Sequence, residues 1–391
     1  MVPGLVRRFR SALTHPQFYW PAILLVGARM ALVAQAFLLW NLGRVPTTPD
    51  VESRPYYGVT PVVEGIPAVL FGVWQRFDAI HYLRIASHGY SAPDLPVFPP
   101  LYPLLVRAAG ILFGGDYLLG ALVVSSVASF LLISLFMKIV AEEGYQDLTK
   151  RSAAYLFFFP TAFFLLAPYT ESLFLLLALA TFRETRRGRW AYASLAGLAA
   201  ALTRLQGVLL TLVIATEMLR RRKWSLRQVG LPIVSALTPV LGYGVLTAWR
   251  LTSGFSGITY LQFRYWHRVP TVPWVGILKT VDRIRDGTAL PIEHLDLGIV
   301  LIMLLIGVLV VRRLPAVYGV YFWSMMIFNL LQVRIGQPLS GQARFSVVLF
   351  PAFIVLAQLG GRAWVNRLVF YPSFLLWSFL AGQFMMWGWV G

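Results

Sequence analysis

Long apolar runs separated by short basic clusters set the pattern of this chain. The runs recur from Phe18 to Trp389, several of them close to the 20 or so residues that cross the hydrocarbon core of a bilayer as a helix. Lipid offers no hydrogen bonds to bare backbone, so helices are the expected spanning elements. The pattern predicts spans over Phe18–Leu42, Tyr117–Val140, Ala153–Leu166, Ser172–Phe182, Tyr192–Leu202 and Val208–Met218. It continues with Pro232–Trp249, Leu297–Val311, Val317–Leu331, Phe345–Leu359 and Val369–Trp389. The expectation is an all-α polytopic membrane protein with about eleven crossings, some of them short enough to need tilting or breaking.

The polar residues between the runs set the orientation. Basic clusters fall at Arg7–Arg10, Lys150–Arg151, Arg183–Arg189, Arg220–Lys223, Arg312–Arg313 and Arg362–Arg367, and such clusters mark the cytoplasmic side. The apolar piece Leu101–Phe113 is short and carries Arg107. Read as a helix lying at the interface, it leaves nearly all the Arg-rich loops on one side. Read as a crossing, it would put every later cluster outside. The first parity makes residues 1–391 one integral membrane domain with two long outer loops, 43–115 and 251–296, and a retained first span.

Composition narrows the class further. Hydrophobic residues make up 58% of the 391 and charged residues 13%, against about 25% charged in soluble domains. The net charge of +18 is distributed as topology-setting clusters, so it is not a nucleic-acid footprint. Cysteine is absent, which excludes disulfides and thiolate metal sites. No Gly-rich phosphate loop or metal-ligand spacing occurs, and a soluble nucleotide domain has nowhere to fit. Any activated donor is therefore expected to be lipid-borne.

Five polar constellations fall on the outer side under this parity. Asp78, His81, Tyr82 and Ile85 share one helical face at i, i+3, i+4 and i+7. Asp78 has the chemistry of a general base, or is a solvated acid on an interfacial helix. Glu171 follows the Pro160 and Pro168 breaks and either serves a site or begins a helix. Arg204, in Thr203-Arg204-Leu205-Gln206-Gly207, and Arg344, in Ala343-Arg344-Phe345, suit a phosphate or snorkel to a headgroup. Arg268 closes the aromatic segment Tyr260–Arg268, which suits a sugar face or an interfacial belt. Two acids and several cations meeting at one membrane face describe a site for an anionic lipid donor and a hydroxyl acceptor.

The same residues carry a resemblance. Arg76-Phe77-Asp78-Ala79-Ile80-His81-Tyr82, with Ile85-Ala86 and Gly89-Tyr90, resembles the first-loop motif of the GPI mannosyltransferase II (PIG-V) family. Phe98-Pro99-Pro100-Leu101-Tyr102-Pro103, Phe159-Pro160-Thr161, Pro168-Tyr169-Thr170-Glu171 and Ala343-Arg344-Phe345 with Phe350-Pro351 are similar to its later blocks, in the same order. Thr203–Gly207 matches less closely, and Phe77 stands where the family usually has Trp. The resemblance implies a GT-C glycosyltransferase fold, a polyprenyl-phosphate sugar donor such as dolichyl-phosphate mannose, and catalysis by Asp78 on the non-cytoplasmic side. The compact, cysteine-free, Arg-rich chain looks prokaryotic, so the acceptor does not carry over.

The expected chemistry is inverting transfer of a sugar, mannose by resemblance, to a hydroxyl on a glycolipid or other acceptor. Asp78 would be the base. Arg204 and Arg344 would face the leaving phosphate, with Arg268 in reserve. His81, Tyr82 and Glu171 would position sugar or acceptor. No cofactor is expected, nor an obligatory metal, although Asp78 and Glu171 have the chemistry to share a divalent ion. The rival reading is a lipid-phosphate transporter or flippase, which needs the arginines and no base.

Overall fold

The computed structural model describes residues 16–221 and 226–391. The expected basic positions Arg7, Arg8, Arg10 and Lys223 lie outside the described residues. The chain begins with α1 (Pro16–Asn41), followed by a long segment holding α2 (Gly65–Leu70), α3 (Asp78–His88) and α4 (Leu101–Leu112). Next come α5 (Tyr117–Glu142), α6 (Thr149–Phe157), α7 (Glu171–Arg186), α8 (Trp190–Ala201) and α9 (Leu210–Arg221). After α10 (Leu226–Thr252) lie α11 (Ile258–Trp266), β1 (Arg268–Pro270), α12 (Pro273–Arg285) and α13 (Pro291–Arg313). The chain closes with α14 (Ala316–Leu330), β2 (Gln332–Arg334), α15 (Gln342–Ser346), α16 (Phe350–Leu359) and α17 (Ala363–Met385).

Among the described residues, five helices are long and apolar enough to cross a membrane: α1, α5, α10, α13 and α17. Their outer faces stay apolar and uncovered, as at Val26, Met30 and Phe37 on α1, Leu241 and Val245 on α10, Leu305 on α13 and Leu375 on α17. Patches of that extent belong against lipid. The other expected spans are half-length helices or broken ones. The run Ala153–Leu166 leaves the helix at Phe157, ahead of Pro160, and resumes as a 3₁₀ turn over Ala162–Leu165. The run Phe345–Leu359 is divided between α15 and α16, ahead of Pro351. Proline removes a donor and clashes with the preceding turn, so both breaks follow from sequence.

Broken backbone at membrane depth needs partners inside the protein. The Ser129 hydroxyl donates to the Leu165 carbonyl at 2.5 Å, and the Arg29 guanidinium of α1 donates to the Leu166 carbonyl at 2.6 Å. The Thr161 hydroxyl donates to the Ala343 carbonyl at 2.9 Å, tying the two breaks to each other. Phe163, Phe164, Leu165, Leu166 and Ala167 are all buried, so this irregular segment forms part of the core.

The two ends of the helix layer differ in charge. At one end Arg183 and Arg187 pair with Glu142 at 2.7 Å, Arg186 pairs with Glu143 at 2.5 Å, and Arg220 pairs with Glu217 at 2.7 Å. The first three pairs join the ends of α5 and α7, the last lies within α9, and Arg221 of α9 donates to the Arg186 carbonyl. Glu171 starts α7 and Arg186 ends it, a separation of about 22 Å at 1.5 Å per residue. The basic end and the Glu171 end are thus opposite, as the charge parity expects.

Close packing of α4 on α5 runs through glycine. A Cβ at Gly120 would lie 2.6 Å from the Gly110 nitrogen, whereas a Cβ at Gly244 on α10 meets nothing within 4 Å. Gly120→Ala is therefore expected to destabilise by about 1–3 kcal/mol, and Gly244→Ala to be neutral or mildly stabilising. Thermal unfolding in detergent compares the two, and equal midpoints would refute the close approach.

Candidate active site

Asp78 opens α3 from a strained entry. Phe77, the residue before it, has φ 51°, a conformation that costs a non-glycine residue about 1–3 kcal/mol. The strain is held by aromatic packing: Phe77 lies 5.8 Å from Phe384, 5.5 Å from Trp387 and 5.1 Å from Trp389, centroid to centroid. Arg76 completes the anchor. Its Nε and Nη2 each donate to the Met385 carbonyl at 3.2 Å, its Nη1 donates to the Gly72 carbonyl at 2.9 Å, and its guanidinium covers Trp387 at 4.8 Å. Burial pushes Arg76 down to about 10. The motif's arginine therefore fastens α3 to the end of α17, and the acid beside it faces the cavity.

Four charged side chains from distant segments then alternate in sign. Arg344 of α15 donates from Nη1 to Asp78 Oδ2 at 3.0 Å, and its Nε lies 3.5 Å from Glu171 Oε1. Arg204, in the turn after α8, donates from Nη1 to the same Glu171 oxygen at 2.6 Å and from Nε to Gln206 Oε1 at 3.2 Å. Burial works against the Arg344 charge, but Asp78 and then Glu171 outweigh it and hold its pKa above the usual value. The Tyr82 hydroxyl reaches Thr170 Oγ1 at 3.5 Å. Glu171 Oε2 is buried with no hydrogen-bond partner among the described residues.

A second wall comes from a ladder that no periodicity announces. β1 and β2 pair antiparallel with Arg268 directly opposite Arg334, an arrangement of like charges that is unfavourable by itself. Arg268 Nη2 donates to the Ser340 carbonyl at 3.0 Å, and Arg334 Nη1 donates to Gln337 Oε1 at 3.3 Å. Among the described residues neither has a carboxylate within ion-pair distance. Burial, then Arg344 and Arg334, push Arg268 down to about 10, and burial lowers Arg334 as well.

His81 lies on a third wall. Its Nδ1 is 3.3 Å from Asp94 Oδ2, and its ring stacks on Tyr57 at 5.0 Å and on Phe98 at 5.2 Å. Burial raises the Asp94 carboxyl, yet His81 and then Arg84 hold it below the usual range.

One cavity of about 580 Å³ joins these walls. Asp78, His81, Tyr82, Glu171, Arg204, Arg268 and Arg344, all chosen from sequence, line it together. Ile85, on the predicted face, does not; it is buried in the core. Arg84, Arg250 and Arg334 also line it, as does Asp94. Of the lining residues, six are arginines against three carboxylates, Asp78, Asp94 and Glu171, an excess of positive charge that suits an anion. Arg334 was visible only as the start of a loop, because its pairing with Arg268 depends on strands of three residues each.

The Arg204–Glu171 pair is mostly shielded from water, and removing Arg204 leaves Glu171 only the longer contact to Arg344 at 3.5 Å. Arg204→Gln is therefore expected to cost up to about 3 kcal/mol, the low end for breaking a buried pair. Adding Glu171→Gln should recover most of that loss. Thermal unfolding of the single and double variants is the check, and equal midpoints for the two would contradict it.

Residues 36–262 match the model of the mannosyltransferase (PIG-V) family. GPI alpha-1,6-mannosyltransferase 2 of Rattus norvegicus is 33% identical over 183 residues, covering 44% of this chain and 37% of the rat protein. The Mus musculus protein of the same name is 34% identical over 187 residues, covering 44% and 36%. The matched stretch thus spans little more than a third of these curated relatives. The crystal structure of ArnT from Cupriavidus metallidurans bound to undecaprenyl phosphate aligns with a TM-score of 0.47 at 16% identity, over 85% of this chain and 60% of that one. With well over half of its length matched by the family model, the chain belongs to the mannosyltransferase (PIG-V) family.

Proposed function

We propose that this protein is a membrane mannosyltransferase that moves mannose from a polyprenyl phosphate to an acceptor hydroxyl by a single inverting displacement. The observation that carries the reading is one cavity holding both a carboxylate, Asp78, and an arginine pair, Arg268 and Arg334, with no carboxylate within ion-pair distance of that pair among the described residues. The sugar comes from the family and from the names of its curated relatives. A lipid-borne donor suits a cavity set among helices long and apolar enough to cross a membrane.

In this reading Asp78 Oδ1, the oxygen not bonded to Arg344, takes the proton of the acceptor hydroxyl. The freed oxygen attacks the anomeric carbon while the bond from that carbon to the phosphate oxygen breaks. The electron pair leaves with the polyprenyl phosphate. Negative charge grows on that phosphate, and fixed cations aimed at it lower the barrier. Arg204 and Arg344, the first choices from sequence, are already neutralised by Glu171 and Asp78. Arg268 therefore moves from reserve to the main role, with Arg334 beside it, and Arg344 orients the base. His81 and Tyr82 line the acceptor side. The acceptor is a glycolipid or another hydroxyl compound. The site lies at the end of α7 opposite the paired arginine cluster, which by the positive-inside bias is the non-cytoplasmic side.

Mannose-labelled polyprenyl phosphate incubated with the protein in liposomes and a lipid extract tests this directly. Asp78→Asn should lower transfer by about 10²–10⁴-fold while the protein still binds the donor. Retention of more than a tenth of the rate would refute the base, whereas donor binding with no transfer by the unmodified protein would favour a transporter. Arg268→Gln and Arg334→Gln should each weaken donor binding by about tenfold or more, because each removes a charge-assisted contact of roughly 1.5–3 kcal/mol. An unchanged donor KM in both variants would remove the phosphate from the ladder.

A further inference from the structure

We propose that Asp296 is a positioning residue for the Asp78–Arg344 pair, acting through the one-turn helix α15. The proposal rests on the glycosyl-transfer reading. Arg344 is carried by a helix of five residues, too short to be rigid by itself. Its N-cap is Gly341, at φ +84°, which has no side chain to cap the turn. The amide of Ala343 therefore needs an acceptor from elsewhere.

Asp296, buried in the second turn of α13, supplies it: Oδ1 accepts from the Ala343 N–H at 2.7 Å. The same residue is held from its other side by the Thr161 hydroxyl, which donates to the Ala343 carbonyl at 2.9 Å. The Gln342 amide donates to the Asn329 carbonyl of α14 at 2.7 Å. Three elements thus grip the residues next to Arg344, whose guanidinium then meets Asp78 at 3.0 Å.

Asp296 is itself 1% exposed and does not line the cavity, so it has no contact with a reacting group. An acid within an apolar helix is costly to keep, and the bond to Ala343 gives it a task. The Gly341 amide also faces this carboxylate, so Asp296 meets the backbone at the start of α15 at two neighbouring residues, while Oδ2 has no partner among the described residues.

Displacing a catalytic group by about 1 Å can cost on the order of 10²-fold in rate. In the labelled polyprenyl-phosphate mannose assay, Asp296→Ala should lower kcat about that much, with the donor KM changed by less than about threefold. Asp296→Asn, whose amide oxygen still accepts from Ala343, should recover most of the lost rate. In an Arg344→Lys background, Asp296→Ala should cost less than about threefold more, since residues acting through one contact are not additive. Multiplying effects, an Asn variant as slow as Ala, or a rise in KM without a fall in kcat would overturn the proposal; the last would instead make Asp296 a counter-charge for Arg268. Should Asp296→Ala not fold, Thr161→Val releases the carbonyl side of Ala343 and should give the same loss of kcat at unchanged KM. No product from the unmodified protein would remove the transfer reading, and this proposal with it. Normal product with an unaltered kcat in Asp296→Ala would remove this proposal alone.

Discussion

The site depends on holding four charged side chains together where water is scarce. Asp78, Arg344, Glu171 and Arg204 alternate in sign, and each acid has a guanidinium within 3.0 Å. Any one of them alone would be expensive at this depth, since desolvating a charge costs several kcal/mol per ion. As a chain they neutralise one another in pairs, which makes their positions interdependent. α3, α7, α15 and the turn after α8 must all arrive in register for any of the four to be tolerated. The fold and the chemistry are therefore fixed by the same contacts.

That constraint also separates arginines that look alike in sequence. Arg204 and Arg344 are bonded to carboxylates, whereas Arg268 and Arg334 face each other across two short strands and meet neutral oxygens and the rings of Phe345 and Trp389. A cation already matched to an acid gains less from a phosphate than one that is not. The ladder holds two positive charges in adjacent positions at a cost, and an incoming anion would remove that cost. Binding and leaving-group stabilisation would then draw on one feature, at the wall across from the base.

Much of this was legible in the chain, and the limits have physical causes. The helical spacing of Asp78, His81 and Tyr82 placed all three in the cavity, because an amphipathic period survives any tertiary arrangement. The charge parity placed Glu171 at the end of α7 away from Arg186, because orientation is written in the basic clusters. The continuous spans expected over Ala153–Leu166 and Phe345–Leu359 were not found, because hydropathy counts apolar side chains and is blind to where the backbone breaks. Arg334 and Asp296 were missed for a different reason. One acts through strand pairing and the other through a hydrogen bond 47 residues away along the chain, and neither relation has a local pattern.

The broken segments explain why a site can exist in so apolar a protein. An unbroken helix satisfies its own backbone and presents side chains only outward, so an ionisable group on it faces lipid or a neighbouring helix. Where proline ends a helix early, carbonyls and amides are left free, and polar side chains from other helices must come in to meet them. Ser129 and Arg29 do this on the Leu165 and Leu166 carbonyls of the first break, and Thr161 and Asp296 hold Ala343 at the start of the short helix α15 that precedes the second. The polar groups that repair the breaks thereby fix the segments from which Glu171 and Arg344 project. Prolines 160 and 351, which look like interruptions in the membrane pattern, are thus the residues that make room for charge inside it.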